Sequence, residues 1–503
     1  MAGIRSLLLP ILSSSILACG GAVTNTNGGD GGSRDDDGGF TEQPQTSCEP
    51  SEDEGPRFYV TTDGDDDGGD GSEASPWGSI AHAIENISDG STLLVGPGTY
   101  NGAIRMDAQF AEGVVVRAEP AYQARLRNDD AVISIYEGQG ITISGFDIAH
   151  DGPGAGPLLI HIQDLIGDSG GADAVSRIVL RNNIVHDSYN NDLLKINNGA
   201  RDILVERNIF YNQQGTDEHI DVNSVADVTI QDNIFFNDFE ASGRDNDEDT
   251  SSFIVIKDSN GDNDSYEGAE RIVVRRNVFA NYQGSSGANF LLVGEDGNPY
   301  HEAVEVLFEN NLLVGNSGSE VRAPLGIKGG RDIVFRHNTV VGDMPGAAFA
   351  FRFNQEGDNP TNQNISLYNN IWSDPTGSMA DFSDTPEGET ESFTIDNNLY
   401  WNGGQTIPIG DDLINYSDDA AAVSGDPQIA NTPIPMPTWL EDERRFADGS
   451  GDICLAFERM VESYGLPASD GAATGAARAD QAPETDILGK RRSGAISIGA
   501  VEP

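Results

Sequence analysis

Between Arg57 and Ser417 the chain repeats one pattern of apolar and polar positions. Each unit has apolar residues in alternation, a polar pair, an asparagine and then an apolar residue. The units are Ile178–Asn183, Ile203–Asn208, Val228–Asn233, Ile272–Asn277, Val306–Asn311, Ile333–Asn338, Ile365–Asn370 and Phe393–Asn398. Successive marker asparagines are 25, 25, 44, 34, 27, 32 and 28 residues apart. Alternation at period two predicts a strand with one buried face. A lone strand cannot bury that face, but equivalent strands stacked from successive turns form a parallel sheet over a continuous core. Each asparagine amide can bond to the coil above and the coil below, and asparagine tolerates a tight turn. The fold class is therefore all-β, a single-stranded parallel β-helix, with an asparagine ladder at one corner. A step near 25 is one coil, and Phe239 to Gly268 supplies the insertion behind the step of 44.

The ends differ from this body. Residues 1–18 read as an export signal, with Arg5 ahead of a Leu7–Leu17 apolar stretch too short to cross a bilayer. Ile16-Leu17-Ala18-Cys19-Gly20 resembles the bacterial lipobox. That implies cleavage before Cys19, a diacylglycerol on its thiol and membrane attachment only through that lipid. The protein would then sit in the cell envelope, at the outer membrane or cell surface; an ordinary secretory signal is the other reading. Residues 19–56 read as a Gly-, Asn- and Asp-rich tether that cannot bury a core. Cys48 and Cys454 remain, and in an oxidising compartment they either form a disulfide or stay free. Residues 57–425 form the β-helix, and residues 426–503 a C-terminal cap and closing segment. Within the latter, Asp452–Tyr464 reads as a helix stopped by Gly465 and is expected over the open end of the coil stack. The formal net charge of −53 argues against nucleic acid as a partner, because the long-range field repels it. A monomer is expected.

The opening of the body runs Phe58-Tyr59-Val60, an acidic Gly-rich loop, Pro76-Trp77-Gly78-Ser79-Ile80-Ala81-His82-Ala83-Ile84 and Gly90–Tyr100. The close runs Asp486-Ile487-Leu488-Gly489-Lys490-Arg491-Arg492 and Ile496–Glu502. Both resemble the pectate-lyase-like right-handed β-helix superfamily, over roughly residues 57–502. The resemblance implies a right-handed coil and a short N-terminal helix covering the first turn.

A second strand in each coil carries the candidate chemistry. Apolar neighbours fix its register, since a slip of one residue would bury the charges. One outward row then reads His161, Lys195, Asp221, Val255, and the next Gln163, Asn197, Asn223, Lys257, with Gly294 and Lys328 further on. The turns entering these strands are acidic: Asp187–Asp192, Thr216–Glu218 and Asp245–Asp249. Stacking piles Asp192, Asp217, Glu218 and Asp249 beside the lysines, and Asp221 joins them. Clustered carboxylates suit Ca²⁺; a solvated acidic rim is the alternative.

Lysines beside an acidic cluster suit β-elimination of uronic-acid polysaccharides. A base takes the C5 proton, and a cation neutralises the adjacent carboxylate. Lys195 is the first choice for the base, Lys257 the second, and His219 a further proton-transfer group. His161, Asn197, Asn223 and Lys328 would hold the sugar chain. A lysine serves as base only if its pKa falls well below its usual value; an ion pair of Lys195 with Asp221 or Asp192 is the competing role. The layout is similar to the chondroitinase B and alginate lyase family, which implies Ca²⁺, an acidic polysaccharide and a Lys base; Asp221 stands where that family has an arginine. Polygalacturonase and pectin methylesterase motifs are absent. A surface adhesin or glycan-binding protein without cleavage is the other function class. Asp63–Gly68 and Asp258–Asp262 are further candidate Ca²⁺ loops or plain polar turns.

Overall fold

The computed structural model describes residues 55–164, 175–261, 266–344 and 346–503. The signal segment, Cys19, most of the tether and Cys48 lie outside the described residues. Strands run from Arg57 to Ser424 and alternate among three parallel sheets, here sheets 1, 2 and 3, of 12, 12 and 10 strands. From Thr92 to Asp384 each coil passes once through each sheet, and every inner strand pairs with its equivalent in the coils before and after. This is a single-stranded right-handed parallel β-helix, the hand that parallel crossovers adopt.

Sheet 1 contains the alternating segments. Ser176–Arg181 alternates buried and half-buried positions, as does Ala226–Gln231. The marker asparagines follow at the corner into sheet 2, and all eight are fully buried. From Asn183 to Asn370, each backbone N–H donates to Oδ1 of the next asparagine at 2.8–3.0 Å. Each Nδ2 also donates to a sheet 1 carbonyl of the preceding coil, as Asn208 does to Leu180 at 2.9 Å. Asp419 ends the ladder. Its two carboxylate oxygens accept the N–H groups of Asn397 and Asn398, and a carboxylate has no N–H to pass on. The tight turn falls one residue before each marker, where Asn182, Arg207, Asp232, Arg276, Asn310, His337, Asn369 and Asn397 all have φ of 51–60°. Five of these eight are Asn or Asp, the non-glycine residues that visit this region most readily.

Sheet 2 is apolar on both faces. Its strands Ile209–Tyr211 and Ile234–Phe236 are buried at every position. Phe210, Phe235 and Phe279 stack inside at 5.1 and 4.8 Å, while Ile209, Ile234, Val278 and Leu312 point outward. The C-terminal segment covers that outer face. Helix α2 (Ile453–Tyr464) lays Ala456, Met460 and Val461 on it, and Trp439 reaches back to Tyr122. The helix expected over the open end thus lies along the flank, because sheet 2 offers the larger apolar surface. The open end is closed instead by Ile407, Ile414 and Tyr416, the last packed on Phe382 and Tyr400. The closing segment fastens to the ladder corner: Arg492 donates to Asn310 Oδ1 at 2.8 Å, and Asn369 exchanges two bonds with the Arg478 backbone. Cys454 is disulfide-bonded.

At the other end α1 (Ile80–Asn86) buries Ile80, Ala83 and Ile84, as the opening segment implies. The Asp63–Gly68 loop builds its start. Asp66 accepts the N–H groups of Gly78 and Ser79 and the Ser79 hydroxyl, and Ser79 caps the helix. That is the role of a polar turn. The insertion in the 44-residue step is split by strand Ile254–Lys257, with residues 237–253 before it and 258–268 after.

The ladder makes a sharp prediction. Asn233→Ala leaves the Asn208 N–H and the Val205 carbonyl buried without their partners. It should lower unfolding stability by about 2–4 kcal/mol, measured by denaturant unfolding against a surface control such as Thr229→Ala.

Candidate functional site

The outer face of sheet 3 carries the two rows in the register that the apolar pattern implies. His161 pairs with Lys195, Lys195 with Asp221, and Asp221 with Val255. Gln163 pairs with Asn197, Asn197 with Asn223, and Asn223 with Lys257. Adjacent coils lie about 4.8 Å apart, so residues dozens of positions apart become neighbours. Lysine occurs only at 195, 257, 328 and 490, and three of the four stand on this face.

Asp192, Glu218 and Asp221 each bring one carboxylate oxygen within 4.8 Å of the others. Their relative exposures are 1%, 3% and 2%. The elements explain the meeting. Asp192 ends the turn before strand Leu194–Asn197, Glu218 ends the equivalent turn one coil later, and Asp221 lies within strand Ile220–Asn223. The Glu218 N–H donates to Asp192 Oδ1 at 3.2 Å and locks the two turns together. Lys195 Nζ hydrogen-bonds Asp221 Oδ2 and lies 3.8 Å from Asp192 Oδ2. Lys257 Nζ is 3.9 Å from the same Asp221 oxygen, and it bonds Glu295 with Asp296 at 3.7 Å. Two carboxylate oxygens, Asp192 Oδ2 and Asp221 Oδ1, are buried with no hydrogen-bond partner among the described residues. Buried charges are ordinarily paired or bound to metal. Three convergent carboxylates, two of which carry an unsatisfied buried oxygen, therefore fit a divalent cation.

The electrostatics follow from this crowding. Burial, joined by the neighbouring Asp221, pushes the Asp192 carboxyl up to about 7, against the pull of Lys195. Burial and Asp192 raise Glu218 well above the ordinary range. Burial draws Lys195 down, but Asp221 and Asp192 outweigh it and hold the ammonium above its usual pKa. Lys257 behaves alike, with Asp221 and Glu295 outweighing burial. The lowered pKa expected of a lysine base is absent, because carboxylates face both amines.

Other expected site residues divide. His219 is turned into the core, fully buried between Phe235 and Phe253, with Nε2 at 3.1 Å from Asn237 Oδ1; burial pulls it down to about 3. It is a core histidine and has no access to substrate. Asp217 stands outside the carboxylate group and accepts from Asn191 Nδ2 at 2.9 Å. Asp249 accepts the Gly215 N–H at 3.1 Å. Asn223 is occupied by Ser224 and Ser259, so it anchors the next loop and is not open to a sugar. Asn197 donates to Gln163 at 3.4 Å, and His161 meets the Tyr136 hydroxyl at 3.2 Å; both stay on the outer face of sheet 3. Lys328 is two coils beyond Lys257 and pairs with Glu356 at 3.1 Å. Asp258 takes the Ser224 hydroxyl and the Asn260 and Gly261 N–H groups, which marks a polar turn.

Sequence reading missed Glu295, Asp296 and Glu302. Fully buried Glu302 accepts four successive N–H groups, from Glu295 to Asn298, at 2.7–3.1 Å. It thereby turns the loop that carries Glu295 and Asp296 onto Lys257. Gly294 makes the turn possible, since a Cβ there would stand 1.7 Å from the Lys328 carbonyl oxygen. The Gly294-Glu295-Asp296-Gly297 run, one coil after Lys257, was the available signal.

No protein-family model matches the chain, and comparison with curated proteins found no match. Solved structures do resemble it. Pectate lyase Pel9A is 13% identical, with 89% of this chain and 96% of that one covered and a TM-score of 0.46. XylC in complex with xylose is 11% identical, with 88% and 98% covered and a TM-score of 0.46. A mannuronic acid specific polysaccharide family 6 lyase from human gut microbiota is 12% identical, with 73% and 91% covered and a TM-score of 0.40. At such identities the likeness is one of fold.

The raised Asp192 carboxyl has a stability consequence. Between pH about 4 and 7 the folded chain holds a proton that the unfolded chain has already lost, so rising pH costs stability, in full above about 7. Asp192→Asn should therefore be more stable than wild type at pH 8 in chelator, by roughly 1–3 kcal/mol. The gap should close toward pH 4, as read by urea unfolding at both pH values.

Proposed function

We propose that the protein acts on acidic, uronic-acid-containing polysaccharide, which it holds along the outer face of sheet 3 and cleaves by β-elimination with help from a divalent cation, Ca²⁺ by its oxygen donors. The observation that carries this reading is the buried Asp192–Glu218–Asp221 group with two unsatisfied oxygens, flanked by Lys195 and Lys257. In a chain of net charge −53, two ammonium groups on one groove floor are where a sugar carboxylate can dock.

Asp192, Glu218 and Asp221 would hold the cation. When bound, it supplies Lewis-acid stabilisation of the charge that develops on the substrate carboxylate. Lys195 is the proton acceptor in this reading. Its proton is held by Asp221 and Asp192; once those carboxylates are engaged as ligands that hold is lost, and a neighbouring dication favours the neutral amine. The amine takes the C5 proton, the C4–C5 double bond forms, the C4–O bond breaks, and the Lys195 ammonium so formed returns a proton to the departing sugar oxygen, directly or through water. Lys257 stays charged and orients the carboxylate. One observation favours a second reading, a glycan-binding protein without cleavage: both lysines are held as charged partners of carboxylates in the free protein.

The test uses the chain without residues 1–40, incubated with alginate, pectate, chondroitin sulfate or dermatan sulfate, in Ca²⁺ or chelator. Ultraviolet absorbance of the new C4–C5 double bond should rise in Ca²⁺ only. Lys195→Ala should lower the rate by about 10²-fold or more. Glycan retention on a column without any absorbance rise would establish the binding reading instead.

A further inference from the structure

The positions of the two lysines carry a consequence for how the site is loaded. This inference rests on the cation site of the preceding subsection. Asp221 has a divided environment: Oδ2 bonds Lys195 and has Lys257 at 3.9 Å, while Oδ1 is buried and bare. Asp192 is similar, with Oδ1 on the Glu218 N–H and Oδ2 without a hydrogen-bond partner, 3.8 Å from Lys195 Nζ. The ammonium groups therefore stand at the mouth of the carboxylate group. They neutralise it only in part, three carboxylates facing two amines, one of which is shared with Glu295 and Asp296.

We propose that Lys195 and Lys257 are built-in counter-ions which a divalent cation displaces, so that loading the carboxylate group turns both amines outward and prepares this face of sheet 3 for a carboxylate-bearing glycan. A dication beside Asp221 repels both amines at close range, in a setting where water screens them poorly. Both amines can leave. Each is a compact charge on a flexible four-carbon stem, and their side chains are already 22% and 13% exposed. Arginine would resist such displacement, because its planar fork holds a carboxylate through two bonds. Beside the carboxylate group the face uses lysine, although arginine outnumbers lysine 25 to 4 along the chain and stands at Arg105 and Arg352 further along the same row. Lys257, displaced but still charged, needs a new anion, and a glycan carboxylate reaching this face is one. Cation and glycan then favour each other's binding, as linkage requires.

Two measurements on the same protein test this. The first is calorimetric titration of Ca²⁺ into wild type, Lys195→Gln and Asp192→Asn at one pH. Removing the competing ammonium should tighten Ca²⁺ binding by about fivefold or more, whereas Asp192→Asn should weaken it. The second is amine-reactive ester labelling, read peptide by peptide by mass spectrometry. Ca²⁺ should increase labelling at Lys195 and Lys257 and leave Lys328 and Lys490 unchanged. Ca²⁺ binding that Lys195→Gln leaves unchanged or weakens, with labelling unaltered, would overturn the displacement and keep the cation site. No Ca²⁺ binding by wild type would remove both.

Discussion

The buried asparagine ladder is the constraint from which the architecture follows. A parallel β-helix must turn a corner in every coil, and each corner interrupts the strand hydrogen bonding that would satisfy the backbone. The side-chain amide restores it, accepting from the coil before through Oδ1 and donating through Nδ2. The backbone turns one residue earlier, in the left-handed region, which lets the asparagine side chain point inward. Because each rung spans two coils, the ladder fixes which residues lie side by side in all three sheets. Asp419 stops the series with a group that can only accept.

That registration builds the candidate site. Asp192, Glu218 and Asp221 come from two coils, and Lys257 from a third. No local element could gather them, since 65 residues separate Asp192 from Lys257. Holding three carboxylates almost out of water is unfavourable without a compensating charge. The lysines supply part of it, and the raised Asp192 and Glu218 carboxyls record the rest. Such crowding costs stability, the usual trade where a cluster of this kind serves function.

The two-sided burial of sheet 2 governs the C-terminal segment in the same way. Ile209-Phe210-Tyr211 and Ile234-Phe235-Phe236 present apolar side chains to the core and to the outside. Helix α2 and the Trp439 region cover the outside, and Arg492 ties the end of the chain to the ladder corner. Sheet 3 instead keeps polar and charged side chains on its outer face, among them Lys195 and Lys257, which are 22% and 13% exposed.

The sequence by itself determined the repeat, the ladder positions, the strand register of sheet 3 and the helix at each end. These depend on period-two alternation and on residues that act with their equivalents one coil away, so the pattern is visible in one dimension. The continuous apolar runs of sheet 2 were equally legible as strands buried on both faces, and they signalled a covering segment that reading for an end cap overlooked. Only the tertiary structure decided which way His219 turns, that Asp217 stands outside the carboxylate group, and that Glu302 folds a loop onto Lys257. It also decided that carboxylates face both lysine amines and hold their protons. A pKa depends on what faces a group across coils and on how much water remains there, and neither distance nor burial is written in the spacing of residues along the chain.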